Sequence, residues 1–402
     1  MRHCSHWNLV SRLIGVLLLT AAFLPAADAP APPNGSLLEP NDEQQKIEME
    51  FLHSLEMSLN SGDGKLFEKS LDVAALLGQS TKGLGLDPRE LASLTASFEE
   101  SGGLGPILAG EIKANGGSYK LLRVHTANGQ RRALFRLWFE GKGLNYHDWV
   151  LTQDAENKYR IADLFIFVAG EMQSTTYRHL FLPLLAQNDP EKLKTLSPPE
   201  LALANHSNDL KTMLDLCVQE KFTEALRLFK TFPKELQENR FVLLNALRLS
   251  QKVSQEELLS IEKTYIRLYP DDPALDLLGL DVYWVGKEFG RALDCIDHLQ
   301  KRVGDDAVLL TIRATCLVEM SKYEEASQCV RRAVEIEKSL DFACREQVVI
   351  ALHQKDWDLV FSALTAYELN VGQPLGDISK MDLYKDFIAT DQYKQWQALH
   401  AK

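Results

Sequence analysis

The chain has 402 residues, 45% of them apolar and 25% charged, the composition of a folded protein long enough for two domains. Its 56 acidic residues against 44 basic ones leave a formal net charge of -12. There is no basic excess to displace counterions from phosphates, which argues against a nucleic-acid partner.

Residues 1–29 read as a secretory signal. Arg2 and Arg12 precede the twelve uncharged residues "LIGVLLLTAAFL", and the small residues of "PAADA" follow. That apolar run is shorter than the roughly 20 residues a spanning helix needs, so no transmembrane segment is expected once the signal is removed. The protein is expected to be exported, to a periplasm or to the extracellular space. Beyond the signal stand Cys217, Cys295, Cys316, Cys329 and Cys344, an odd set with no CxxC, which reads as free thiols.

Residues 30–40 form a proline-rich linker, and an α+β domain is expected over 41–187. Ile47, Phe51, Leu55 and Leu59 are spaced by four and predict an amphipathic helix over 42–60. A second helix is expected over 65–77. Asp87-Pro88-Arg89-Glu90 supplies the N-cap, first-turn proline and capping-box glutamate of a third. The glycine-rich "GGLGPILAG" after it reads as a loop. From Ser118 the period becomes two: "SYKLLRVHT" and "RRALFRLWF" flank "ANGQ", a hairpin signal. Further strands over 144–152 and 158–168 make a four-stranded antiparallel sheet. Tyr146, His147 and Asp148 are consecutive, but strand neighbours point to opposite faces. Tyr146 and Asp148 then share one face and His147 joins Trp149 on the other, so the three cannot form one catalytic cluster.

Helices followed by an antiparallel meander resemble the NTF2-like superfamily, a cone of curved sheet wrapped round a helix. The segment "KYRIADLFIFVAGEMQSTTYRHLF" is similar to the end of its phospholipid-carrier, or toluene-tolerance, branch. The resemblance implies a small-ligand or lipid pocket on the concave face, lined by Tyr146, Asp148, Tyr159, Asp163 and Phe165, where some members set a carboxylate base and a tyrosine donor. An interior plugged by Phe135, Trp138, Phe165 and Phe167 would leave such a ligand no room.

Residues 188–205 read as a hinge, with Ser197-Pro198-Pro199-Glu200 a helix start inside it. The remainder repeats. "EKFTEAL", "KEFGRAL", "SKYEEAS" and "KDWDLVF" align Phe222, Phe289, Tyr323 and Trp357, with Ala225, Ala292, Ala326 and Val360 three residues later; the last three copies are 34 apart. A 34-residue period of paired helices resembles the tetratricopeptide repeat (TPR). Five repeats are expected over 206–374, beginning near His206, Asn239, Pro273, Ala307 and Asp341, with capping helices over 375–402. The second repeat departs from the pattern, carrying Gln255 and Leu258 at the aromatic and alanine positions.

Such repeats are expected to hold their ligands along the first helix of each hairpin. The groove-facing positions are Leu210, Leu214, Leu243, Leu247, Leu277, Asp281, Trp284, Thr315, Val318 and Val349. Chaperone-binding TPR proteins use Lys and Asn there to hold a terminal carboxylate, and neither stands here. An apolar groove suits a protein or peptide partner, or this chain's own N-terminal domain or tail. No metal spacing, phosphate-binding loop or nucleophile elbow occurs, and no cofactor is expected. The sequence therefore predicts an exported, non-catalytic scaffold, with a carrier or enzyme pocket in the N-terminal domain as the alternative.

Overall fold

The computed structural model describes residues 42–100, 103–188, 196–272, 274–372 and 377–400; the signal, the linker and residues 189–195 of the expected hinge lie outside them. The chain divides into two compact units, residues 1–278 and 279–402.

The first unit opens with α1 (Asp42–Ser61), α2 (Lys65–Ser70), α3 (Val73–Ser80), α4 (Pro88–Glu100) and α5 (Leu104–Ala114). On α1 the buried stripe is Leu52, Leu55 and Leu59, while Ile47 is exposed. The expected second helix is two. Leu71 leaves the helix to bridge Ile161 of the sheet, and Asp72 restarts it by accepting from Ala75 N at 2.9 Å. The capping box before α4 is present, with Asp87 N donating to Glu90 Oε2 at 2.8 Å and Glu90 N to Asp87 Oδ1 at 2.9 Å. The glycine-rich stretch read as a loop is α5. Its first turn is satisfied from outside, by Glu68 Oε2 accepting from Gly105 N at 2.9 Å.

The sheet has five strands rather than four: β1 (Ser118–Ala127), β2 (Gln130–Phe139), β3 (Gly143–Gln153), β4 (Tyr159–Ile166) and β5 (Glu171–Met172), antiparallel in that order. The fifth has two residues, too few to show an alternating pattern. Asn128 at φ 54° and Gly129 at φ 68° make the tight turn that their Asn-Gly pair predicts.

Helices fill the rest of the first unit: α6 (Gln173–Asn188), α7 (Pro198–Asn205), α8 (Ser207–Val218), α9 (Phe222–Thr231), α10 (Lys234–Gln237), α11 (Arg240–Gln251) and α12 (Gln255–Leu268). Helix α7 lies in the span read as a hinge; it starts at a full Ser197–Glu200 capping box and buries Ala202, Leu203 and Ala204. The unit boundary falls within α13 (Leu275–Val285). The second unit continues with α14 (Phe289–Val303), α15 (Ala307–Glu319), α16 (Tyr323–Ile336), α17 (Asp341–Gln354) and α18 (Trp357–Val371). It closes with α19 (Lys385–Ile388) and α20 (Asp391–His400), whose Phe387, Tyr393 and Trp396 share a core with Val360, Ala363 and Leu364 of α18. No helix among the described residues is long and apolar enough to cross a membrane. The five described cysteines are free, and burial pushes the thiols of Cys217 and Cys316 up to about 12.

One turn recurs in four of the hairpins. Glu220, Lys287, Ser321 and Lys355 have φ of 58°, 57°, 59° and 55°. After each, the next backbone N–H closes back on the preceding helix: Lys221 to Leu216, Glu288 to Tyr283, Lys322 to Leu317 and Asp356 to Ala351. This is the Schellman closure. The aromatic residue follows two positions later, and the small residue three after that is fully buried every time. The α11–α12 turn differs, since Ser254 caps α12 by accepting from Glu257 N at 3.2 Å. None of the four left-handed residues is glycine, and an L residue there costs about 1 kcal/mol. Ser321→Gly and Lys287→Gly are therefore each expected to stabilise the protein by about 0.5–1 kcal/mol, read as a higher urea midpoint.

Candidate functional site

The five expected pocket residues do not share a face. Register places Tyr146, Asp148, Asp163 and Phe165 on one side of the sheet. Between Val150 and Leu151 the pairing slips, because Ala162 of β4 is an extra residue, and Tyr159 turns to the other side. There it stacks on Phe51 of α1 at 5.8 Å. Both aspartates are occupied. Asp148 meets His125 Nε2 at 2.8 Å and Arg132 Nη1 at 3.1 Å. Asp163 accepts from Leu164 N at 2.8 Å, and from Ser174 N at 3.1 Å and Ser174 Oγ at 2.5 Å, which ties β4 to the first turn of α6. Burial raises the Asp163 pKa against the lowering effect of those Ser174 bonds. Tyr146 and Phe165 both pack edge-on against Phe167, at 5.5 and 5.3 Å. These are the contacts of a structural layer.

The face covered by the N-terminal helices is filled with rings. Phe135 stacks on Trp149 at 4.4 Å and on Tyr119 at 5.0 Å, and Phe67 of α2 meets Trp149 edge-on at 5.2 Å. Of the four residues that would leave a ligand no room if they filled this interior, Phe135 lies there, whereas Phe165, Phe167 and Trp138 lie elsewhere. Phe165 faces the opposite side by register, Phe167 packs against it, and Trp138 is only half-buried. His147 sits among the rings with no exposed surface. Asn145 Oδ1 accepts from Tyr146 N at 2.8 Å and Val168 N at 3.0 Å, which fixes the amide and aims its Nδ2 at His147 Nε2, 3.0 Å away. Nε2 therefore accepts, and the ring's proton sits on Nδ1, 2.9 Å from Tyr119 Oη. Burial lowers the His147 pKa to about 3.

The expected groove divides in two. Leu210, Leu243, Leu247 and Leu277 are at most 2% exposed and belong to the core. The cause is clearest on α11, where every residue from Phe241 to Ser250 is buried. A groove-forming first helix keeps one face open; here the sheet's last turn and α6 take that face. Phe241 packs on His179 at 5.0 Å, and Arg248 Nη2 donates to Val168 O at 2.9 Å. Leu214, Trp284, Thr315, Val318 and Val349 remain half-buried, and the Asp281 side chain lies outside the described residues. Beside Thr315, burial raises the Glu346 pKa while a hydrogen bond from Thr315 opposes it.

The seam between the sheet and α11 was not foreseen. Arg240 bridges Glu171 of β5, at 3.0 Å, and Asp272, at 2.5 Å, and also donates to the carbonyls of Ala169 and Gly170. Thr176 Oγ1 donates to Glu171 at 2.7 Å, His179 Nδ1 lies 3.6 Å from the same carboxylate, and Tyr265 Oη donates to Asp272 at 2.6 Å. Burial alone would raise the Glu171 pKa, but His179 and Arg240 carry it below the usual range. The sequence signal was there to use: Arg240, Asn245 and Arg248 interrupt an otherwise apolar helix, and a solvated stripe would not fit its all-round burial. Among the described residues no three His, Cys, Asp or Glu side chains converge as metal ligands would. Comparison with protein-family models, with curated proteins and with solved structures finds no match for this chain.

Proposed function

We propose that the chain is an exported, non-catalytic binding protein in which tetratricopeptide-type hairpins follow an NTF2-like α+β domain, and that the hairpins of the second unit hold a protein partner or peptide. The fourfold recurrence of one Schellman turn, at a fixed distance from an aromatic and a small residue, carries this reading. Repeated hairpins stacked on one another build an extended surface whose first helices line one side. Trp284, Thr315, Val318 and Val349 are half-buried first-helix positions of the second unit, and in this reading they line that side as a largely apolar strip suited to a helical or extended segment with apolar anchors. Leu210, Leu243, Leu247 and Leu277 take no part, because they are already buried. The carrier reading has less support, since Tyr119, Phe135, Trp149 and Phe67 occupy the space beneath the helices that a ligand would need.

Val318→Asp and Val349→Asp test the proposal in the full-length chain. Each sets a charge at a half-buried position, and because Val318 also packs against the core of Ala314, Leu317 and Val330, an unchanged circular-dichroism spectrum is required of each variant before its capture is read. Capture of the partner should weaken by about tenfold or more, since an unpaired charge in an apolar contact costs over about 1.4 kcal/mol. Undiminished capture by both variants would overturn it.

A further inference from the structure

A cleft lies where the turn after β4 and the first turns of α6 meet α11. Ile166, Ala169, Phe241 and Leu244 give it apolar walls, and Arg248 and Gln173 line it with them. It is a small cleft open to solvent, with room for a group of a few atoms at most and none for a drug-sized ligand.

Arg248 is 9% exposed, and its one hydrogen bond goes to the Val168 carbonyl. Its Nε–H has no acceptor, and among the described residues no carboxylate stands within ion-pair distance of it. Burial pulls its pKa down to about 10, so the group stays charged at neutral pH. The Glu171 carboxylate in the same cleft is already spent on Arg240, Thr176 and His179, and Asp272 on Arg240 and Tyr265. Gln173 is 1% exposed, and its Oε1 also lacks a partner. Glu171 acts on Arg248 only from beyond ion-pair distance, and a buried guanidinium with no carboxylate in contact is costly, a state in which folded proteins rarely leave one.

We propose that this cleft binds one small monovalent anion, of chloride or formate size, as the missing counter-charge of Arg248. The Nε–H donates to it directly. A half-turn of the Gln173 amide exchanges Oε1 for Nε2 and adds a second donor; which of the two atoms points inward is set by what occupies the cleft. The apolar walls keep water from screening the pair. Because the anion touches both the sheet's last turn and α11, it stabilises the seam between them by mass action.

The test is the line width of the chloride NMR signal with the full-length chain, with sodium formate as competitor. Wild type is expected to broaden the signal. Lys158→Gln, at an exposed turn, should broaden it equally. Arg248→Met should lose that excess, and so should Leu244→Phe, which fills the cleft and keeps the arginine. Reversal by formate extends the site to small carboxylates, and its failure confines the site to halide. If Arg248→Met does not fold, Leu244→Phe decides alone. No broadening by wild type, or broadening that survives the variants that fold, overturns the proposal.

Discussion

Gly64→Ala is expected to unfold the N-terminal helices from the sheet, at a cost of about 4 kcal/mol or more. A Cβ on Gly64 would lie 1.9 Å from the carbonyl carbon of Gly105, 2.0 Å from its oxygen and 2.2 Å from Pro106 N. All three are backbone atoms, so no side chain can turn aside. The approach is mutual, since a Cβ on Gly105 would fall 2.1 Å from Gly64 O. It also sets Glu68, one turn into α2, where it accepts from Gly105 N and closes the open start of α5. The same substitution at Gly78 or Gly290 meets nothing within 4 Å and lies inside a helix, so there it should stabilise by about 0.5–1 kcal/mol. Urea midpoints followed by circular dichroism measure all three. Equal effects at Gly64 and Gly78 would refute the close approach.

The second large effect is on acid stability. His147 has a pKa of about 3 in the folded protein against 6.5 when solvated. The folded value is the lower one, so below pH 6.5 the unfolded chain takes up a proton that the buried ring refuses. The stability from this residue is complete above about pH 6.5 and falls by about 1.4 kcal/mol per pH unit, down to about pH 3, for about 5 kcal/mol in total. Asp163 works the other way: its raised pKa means the folded state binds its proton more tightly and gains as pH falls. A comparison with His147→Gln cancels that contribution. At pH 7 the variant should be the less stable protein, and the gap should shrink steadily to pH 4. A gap that does not change with pH would mean that His147 takes up its proton as readily in the fold as in the unfolded chain.

The periodic part of this architecture is readable in the sequence because each repeat carries its own packing rule. An aromatic at Phe222, Phe289, Tyr323 or Trp357 with a small residue three later marks the second helix of a hairpin whatever surrounds it. The Asn128-Gly129 turn, the Ser197–Glu200 capping box and the separation of His147 from its neighbours are local in the same sense. What escaped is non-local. The slip at Ala162, which carries Tyr159 away from Asp163, depends on how β4 pairs with β3. The reading of α5 as a loop failed because its capping group is Glu68, thirty-seven residues earlier in the chain. The burial of Leu243 and Leu247 follows from the sheet turn resting on α11, and a hydrophobic stripe looks alike whether a partner or the chain itself covers it.

The most direct test of the central claim is a photo-crosslinking scan of the full-length chain in an exporting host, with a diazirine analogue of leucine placed at single positions. Trp284, Val318 and Val349 should each give the same crosslinked partner, and Leu243, Leu247 and Leu277 should give none. A partner caught from the three leucines instead, or from Tyr146 and Phe165 of the sheet while 284, 318 and 349 stay silent, would contradict the assignment of binding to the second unit.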